Sequence, residues 1–412
     1  MSMRLHHPED LEQAISDYEL GERLRSEPRW LGAAHARRMG GAGIRRGIRG
    51  PSGGGGGPSY LLDFNAATFT RVGEAAAEDP RIGWPWYDLT TPWPGTDVPR
   101  IQVDGAILIE GARTNVVTDS ADFSTWTTSN ATVTLDQVDA PDGSSSTADL
   151  IEGAGGGSPK EITLASGLSS GDVTFSVWVR KATYTGNVTV LLDDGTSSPT
   201  TTIALTDAWQ RISVSLASVA GATTAAIQVP TGAADVYVWG AQIEAAAFAS
   251  SDIRTSGGTG TRGVDSCTFP TASLPAGALS AMESGTWSVE VYLPMSSAEL
   301  AADGSALQLL HMGTAVDWNA LTITSGGVLT LRADVSTGPA ELTLTWDAGT
   351  TLTITVDFPG SELSVSGALT GDGSDATNGN DWSNYTSNNL YVGRAALSGA
   401  GHSVVIGQPV AA

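Results

Sequence analysis

Residues 105–115 read Gly105-Ala106-Ile107-Leu108-Ile109-Glu110-Gly111-Ala112-Arg113-Thr114-Asn115. Three apolar β-formers in a row, Ile107, Leu108 and Ile109, predict a short strand covered on both faces. Glu110-Gly111 breaks it, and Arg113-Thr114-Asn115 leads into the rest of the chain. Downstream the strand signal becomes an alternation. From Val173 to Arg180, Val173, Phe175, Val177 and Val179 face one way, and Thr174, Ser176, Trp178 and Arg180 the other. Val188 to Leu192, the turn Asp193-Asp194-Gly195, the alternating Ile212, Val214 and Leu216, and the run Asp235 to Ile243 follow at the spacing of an antiparallel sandwich. Cys267 to Pro275 is expected as a linker. A second set of strands begins after it with Trp287, Val289, Val291 and Leu293 on one face. It continues through Leu307 to Met312, Leu321 to Ile323 and Val328 to Leu331. Leu342, Leu344 and Trp346 run to a turn at Asp347-Ala348-Gly349, with Leu352, Ile354, Val356 and Phe358 as the return strand. The expected fold class is all-β: two β-sandwich domains in tandem behind a short α-helical N-terminal anchor.

Composition agrees. Short Thr-, Val- and Ser-rich runs are punctuated by 50 glycines, and charged residues make up only 16%, a profile of turn-dense β-structure. The formal net charge is -23, which repels nucleic acid. Cys267 is the only cysteine, so no intrachain disulfide forms and stability rests on β-cores or oligomerisation. No run of 18 apolar residues predicts a membrane span, and Met1 to Pro8 has no hydrophobic core of a secretory leader.

The charge is uneven. Residues 1–50 hold nine Arg against seven Asp or Glu, leaving 12 basic and 37 acidic residues in 51–412. Pro8 to about Ser26 reads as a helix with Leu11, Ile15 and Tyr18 on one face. Arg23 and Arg25 suit its C-terminal end, and Pro28 stops it. Arg29, Arg37 and Arg38 extend the cationic character through a second short helix. One apolar stripe this small cannot make a core alone, so residues 1–46 read as an anchor docking on a larger assembly, with a solvated tail as the alternative. Residues 47–58 are a Gly-rich linker whose triplets (Gly-Ile-Arg, Gly-Pro-Ser) also fit a short collagen-like rope. Residues 59–112 are Pro- and Trp-rich and read as an extended segment with short strands. Its Trp84, Trp86 and Trp93 suit packing between domains or subunits, or a sugar platform.

Several motifs occur together in order. Asp63-Phe64 and Thr68-Phe69-Thr70-Arg71 precede Leu108-Ile109-Glu110-Gly111-Ala112-Arg113-Thr114-Asn115; Trp209-Gln210-Arg211, Val236 to Glu244 and Thr261-Arg262 follow. This series resembles a module common in virion proteins of tailed bacteriophages and phage-like particles. The resemblance implies a carbohydrate-binding-like jelly roll over about 113–265, where the strand pattern alone says only antiparallel sandwich. More loosely, Thr345-Trp346-Asp347 and Leu390-Tyr391-Val392-Gly393-Arg394 make 266–412 similar to a concanavalin A-like or laminin G-like sandwich.

Candidate sites follow from chemistry. Glycan sites stack the apolar face of a sugar on an aromatic ring and fix its hydroxyls with charged or amide groups. Trp178, Arg180, Asp193 and Asp194 could supply such a set in the first sandwich, with cover by a neighbouring domain as the other reading for Trp178. Trp382 and Tyr385 could do so at a loop tip in the second. Trp209 and Trp239 read as core. Asp372, Asp375, Asn378, Asn380 and Asp381 put hard oxygen donors on one Gly-flexed loop, a set that would suit Ca²⁺, although such a composition also describes a solvated loop. No other cofactor is expected. No nucleophile elbow, His-Glu-X-X-His or Walker loop is present, so no catalytic residue is assigned.

The expectation is a non-enzymatic virion protein made in the host cytoplasm, a tail or baseplate fibre or a head spike. Its partners would be other virion proteins through the arm and host-surface polysaccharide through the sandwiches; a homotrimer is expected, and neither nucleic acid nor membrane insertion. The alternatives are a purely structural connector and a capsule depolymerase.

Overall fold

The structure is a computed structural model of the chain and describes residues 59–83, 91–102, 104–153, 160–229, 235–304, 306–313, 318–324, 326–332, 340–359, 362–367, 374–376, 389–394, 403–406 and 408–411. The expected arm (Leu11, Ile15, Tyr18, Arg23, Arg25, Arg29, Arg37, Arg38), the Gly-rich linker, Trp84 and Trp86 lie outside these residues. So do the side chains of the Asp372–Tyr385 loop.

The protein is all-β, built as two sandwiches. The larger one stacks two antiparallel sheets. The first runs in the order Ser374–Ala376, Glu362–Gly367, Thr350–Asp357, Thr286–Leu293, Ser403–Ile406, Ile107–Glu110, Arg100–Ile101, with Val410–Ala411 and Ser59–Tyr60 joined beside Thr286–Leu293. The second runs Thr68–Thr70, Ser266–Pro270, Asn389–Arg394, Leu307–Gly313, Trp318–Ile323, Val328–Arg332, Ala340–Thr343. Their facing side chains make one core: Phe64, Phe69, Trp287, Val291, Leu310, Ile354 and Val392 are all buried in it. The smaller sandwich stacks the sheet Gln210–Leu216, Val173–Lys181, Val236–Glu244, Ala148–Gly153, Ala131–Val138 on the sheet Thr200–Ala204, Asn187–Asp193, Thr224–Val229, Lys160–Ala165, Thr127–Ser129. Val173, Phe175, Val177, Val190, Ile212 and Ile227 fill its core.

The two sandwiches are nested rather than strictly sequential. Residues 59–112, expected as an extended segment, give their strands to the larger sandwich: Thr68–Thr70 pairs with Ser266–Pro270, and Ile107–Glu110 with Ser403–Ile406. The smaller sandwich is therefore an insertion. Its entry strand Arg113–Asn115 and exit strand Gly260–Arg262 pair antiparallel, Arg113 opposite Arg262 and Asn115 opposite Gly260. The linker expected over Cys267 to Pro275 is also corrected. Cys267 and Phe269 alternate into the core, so Ser266–Pro270 is an inner strand between Thr68–Thr70 and Asn389–Arg394. Burial accordingly raises the Cys267 thiol to about 12.

The strand Ile107–Glu110 is buried along its whole length, as its unbroken apolar run requires. Val173–Lys181 is buried on both faces almost to its end, although its sequence alternates. The outer face is covered by an irregular two-ply strip, in which Ala77 N–H donates to the Pro92 carbonyl (2.8 Å) and Ala75 N–H to the Pro94 carbonyl (3.4 Å). Ala76 of that strip packs with Trp178 and Trp239, flanked by Trp93 and Trp209.

Candidate functional site

Seven polar residues of the motif series, Arg71, Glu110, Arg113, Asn115, Gln242, Glu244 and Arg262, meet in one place, the seam between the sandwiches. Glu110 ends the buried strand and carries its carboxylate inside with no exposure. Arg262, from the exit strand, pairs with it at 3.1 Å, and Arg100 pairs with both Glu110 and Asp265. Arg71 reaches Asp265 at 3.4 Å. Ser251 N–H donates to Glu110 Oε1 at 2.9 Å, and Arg262 donates to the Gly111 carbonyl at 3.1 Å. Arg113 lies over the Phe248 ring and reaches Asp303 at 3.5 Å. Asn115 donates from its amide to the carbonyls of Ala241 and Ile253, both at 3.0 Å, and accepts from Val117 and Ile243, so one side chain ties three segments. Gln242 accepts from Ile253 N–H at 2.6 Å, and Glu244 accepts from Ser250. Burial opposes the charge on Glu110, but the guanidinium groups of Arg262 and Arg100 and the Ser251 donors outweigh it and hold its carboxyl well below the usual range. These seven residues are thus a set of structural fasteners.

Beside the fasteners lies a second buried group. Glu78 pairs with Arg211 at 3.5 Å and accepts from Asp252 N–H at 2.7 Å. Burial first, then the mutual proximity of the Glu78 and Asp252 carboxyls, pushes Glu78 up to about 8, against the pull of Arg211. Asp252 is raised to about 7, also by burial first and by the nearby acids Asp142 and Glu244.

An accessible cleft of about 270 Å³ lies on the outer face of the larger sandwich. Its floor is the strand Thr286–Leu293. Because Trp287, Val289, Val291 and Leu293 point into the core, Glu290 and Tyr292 stand on the opposite face. Tyr60 enters from the short strand paired with Val410–Ala411. Gln408 lies in the break between Ser403–Ile406 and Val410–Ala411, packed within 3.5 Å of where a Gly105 side chain would begin. Gly105 has φ of +87°, which suits the tight turn before Ile107. Asp104 caps that turn by accepting from Ala106 N–H at 3.1 Å. Arg81, on the short helix Pro80–Ile82, is held on one edge by Asp79 and on the other by Asp104. Burial disfavours the Asp104 charge, but the Arg81 bonds and Ala106 N–H prevail and lower its pKa. Burial beside Asp79 raises that of Tyr292, whose hydroxyl donates to the Pro80 carbonyl at 2.9 Å. Gln408 is 8% exposed, and its Oε1 has no hydrogen-bond partner among the described residues. Two aromatic rings, unmet acceptors and a volume near the lower end of small-ligand clefts suit one sugar unit at a time.

This cleft is not the site read from the sequence. Of the two readings of Trp178, glycan contact or cover, the structure has cover: it is 2% exposed beneath the 75–77 strip, so no sugar reaches its ring. Arg180 is taken up between the rings of Trp209 and Tyr237, 5.0 Å from each. Asp193 and Asp194 lie at a turn leaving the opposite sheet. Asp193 caps Gly195 N–H at 2.7 Å, and Asp194 accepts from Thr196, Ser197 and Ala220 N–H groups. These four residues form no joint site. Trp239 is core at 2% exposure; Trp209 is half-buried, its ring N–H donating to the Asp139 carbonyl at 3.2 Å. Trp93 packs against the smaller sandwich, within hydrogen-bonding distance of Asp142. The signal that could have located the cleft was present: the alternation that buries Trp287 to Leu293 leaves Glu290 and Tyr292 outside.

No family model matches this chain, and no curated protein does. Among solved structures, similarity is found to the enzymatically active domain of bacteriophage CBA120 tailspike protein 4, at 14% identity and a TM-score of 0.27 over 31% of this chain and 21% of that one. It is found to the CBM22-1 xylan-binding domain of Paenibacillus barcinonensis Xyn10C, at 12% identity and a TM-score of 0.25 over 32% of this chain and 90% of that one. It is found also to a point variant of the family 29 carbohydrate-binding module CBM29-2 complexed with cellulohexaose, at 12% identity and a TM-score of 0.25 over 33% of this chain and 92% of that one. The chain spans about a fifth of the length of the tailspike domain and 28% of a Clostridium thermocellum xylanase fragment that also aligns.

Proposed function

We propose that this protein is a carbohydrate-binding structural protein of a phage-like particle that holds host-surface polysaccharide without cleaving it. The observation that carries the binding half is the cleft: Tyr60 and Tyr292 flank the unpartnered Gln408 Oε1 on the accessible face of the larger sandwich. The placement in a virion rests on the ordered motif series, with a tail or baseplate fibre preferred to a head spike. In this reading the N-terminal arm docks on other virion proteins and the chain works as a homotrimer, where repeated weak sites gain avidity without new contacts. A glycan array probed with the full chain tests it. Binding that falls at least about tenfold in Tyr60→Ala is expected, the scale of losing one stacking ring and its burial; a full chain that binds no polysaccharide overturns it, and release of reducing ends would replace it with a depolymerase.

A second reading, a connector that binds no sugar, is favoured by one observation: the charged motif residues Glu110 and Arg262 are spent on the seam, where they and Arg100 have no solvent exposure.

A further inference from the structure

We infer that the cleft is selective for a sugar bearing a protonated amine and turns away anionic polysaccharide; this rests on the cleft being the glycan site. The argument is an inventory of donors and acceptors. Among the described lining residues the one cation, Arg81, has both edges of its guanidinium occupied, by Asp79 and by Asp104, so it offers no fork to a carboxylate, sulfate or phosphate. The acceptors are in surplus. Glu290 is exposed and makes no ion pair or hydrogen bond among the described residues. Gln408 is 8% exposed, and its Oε1 has no donor among the described residues. The Tyr292 hydroxyl has given its proton to Pro80 and can only accept. Among the described residues around the cleft Arg81 stands against Asp79, Asp104 and Glu290, one positive charge to three negative.

The Gln408 amide N–H groups and the Tyr60 hydroxyl are donors as well, so it is the negative balance at Glu290, Asp79 and Asp104 that favours a cationic, donating ligand. An ammonium group donates three hydrogen bonds and adds the missing positive charge, so a hexosamine with a free amine can meet Glu290 and Gln408 while its ring lies against Tyr60. Acetylation of the amine removes the charge and two of the three donors. A uronic acid places a like charge beside Glu290 and Asp104.

The test uses the full chain and three probes in calorimetric titration: an oligomer of glucosamine, its N-acetylated counterpart and an oligogalacturonate. The glucosamine oligomer is expected to bind best, acetylation to weaken binding about tenfold, the cost of losing one charge-assisted contact, and the galacturonate not to bind. Glu290→Gln should abolish the preference for the amine while keeping the weaker binding of the acetylated sugar. Asp207→Asn, an exposed acid of the smaller sandwich, should leave the preference intact, which separates the site from attraction of a polycation to a chain of net charge -23. Equal binding of amine and acetylated sugars, a preference untouched by Glu290→Gln, or tighter binding of the galacturonate overturns this inference and leaves the glycan reading standing. No binding of these probes or of any array glycan overturns both.

Discussion

Glu110 illustrates what a single residue does here. It accepts from Arg100, Arg262 and Ser251 at a point where no water reaches. Glu110→Ala would take from Arg262 its carboxylate partner in a dry seam and leave Arg100 with Asp265 alone, and a loss of about 3–5 kcal/mol is expected from the cost of an unpaired buried charge, measurable by urea unfolding. Gly240 is a second such point. Its φ of +64° and the Trp178 ring 3.1 Å from where a side chain would start make Gly240→Ala both strained and crowded, with an expected loss of about 1–3 kcal/mol. At this scale the sequence was legible in type and not in role. The motif residues Arg71, Glu110, Arg113, Asn115, Gln242, Glu244 and Arg262 stood out, yet nothing in their spacing says that they converge. Trp178 stayed between two readings, open or covered, because alternation reveals which side chains share a face and is silent on what covers that face.

Among the elements, the strips and short helices carry the surprises. The 75–77 strip has no strand pattern, being small residues between charged ones, and it nevertheless seals the outer face of Val173–Lys181. Ala76→Gln is expected to lift it by overpacking against Trp178 and Trp239, at a cost of about 1–3 kcal/mol, and to raise acrylamide quenching of tryptophan fluorescence. Strands Thr286–Leu293 and Thr350–Asp357 were readable because one face is core and the other open, which period-two alternation reports directly. The helix Ser297–Asp303 was written as Ser296-Ser297-Ala298-Glu299, a capping box whose reciprocal bonds are both present; its seven residues are too few for an amphipathic period to show. Asp303 then meets Arg113, so this short helix steadies the entry to the insertion.

For the whole molecule, the buried acids set a pH dependence. Glu78 and Asp252, raised to about 8 and about 7, keep their protons longer in the folded state. Their contribution is complete below about pH 4, the range of unfolded carboxyls, and is lost as pH climbs through 7 and 8. Asp149, raised to about 6 chiefly by burial, adds to the same limb. Glu110 works oppositely: its contribution is present above about pH 4.5 and lost as pH falls toward its depressed pKa. The melting temperature is therefore expected to peak near pH 5 and to decline toward pH 9, and Glu78→Gln should flatten the alkaline limb above pH 6 while leaving the acid limb in place. The nested topology makes its own demand. Residues 266–412 alone lack the strands Thr68–Thr70 and Ile107–Glu110, so that fragment is expected to aggregate, as seen by light scattering, because two sheet edges lie uncovered.

Since Arg113 and Arg262 are cross-strand neighbours, the smaller sandwich hangs on the larger like a cassette plugged in through two adjacent pins. A lineage could replace everything between those pins with a foreign fold, or with a two-residue turn, and never break a strand of the host sheet. The chassis and its cleft can therefore diversify on one schedule and the cassette on another.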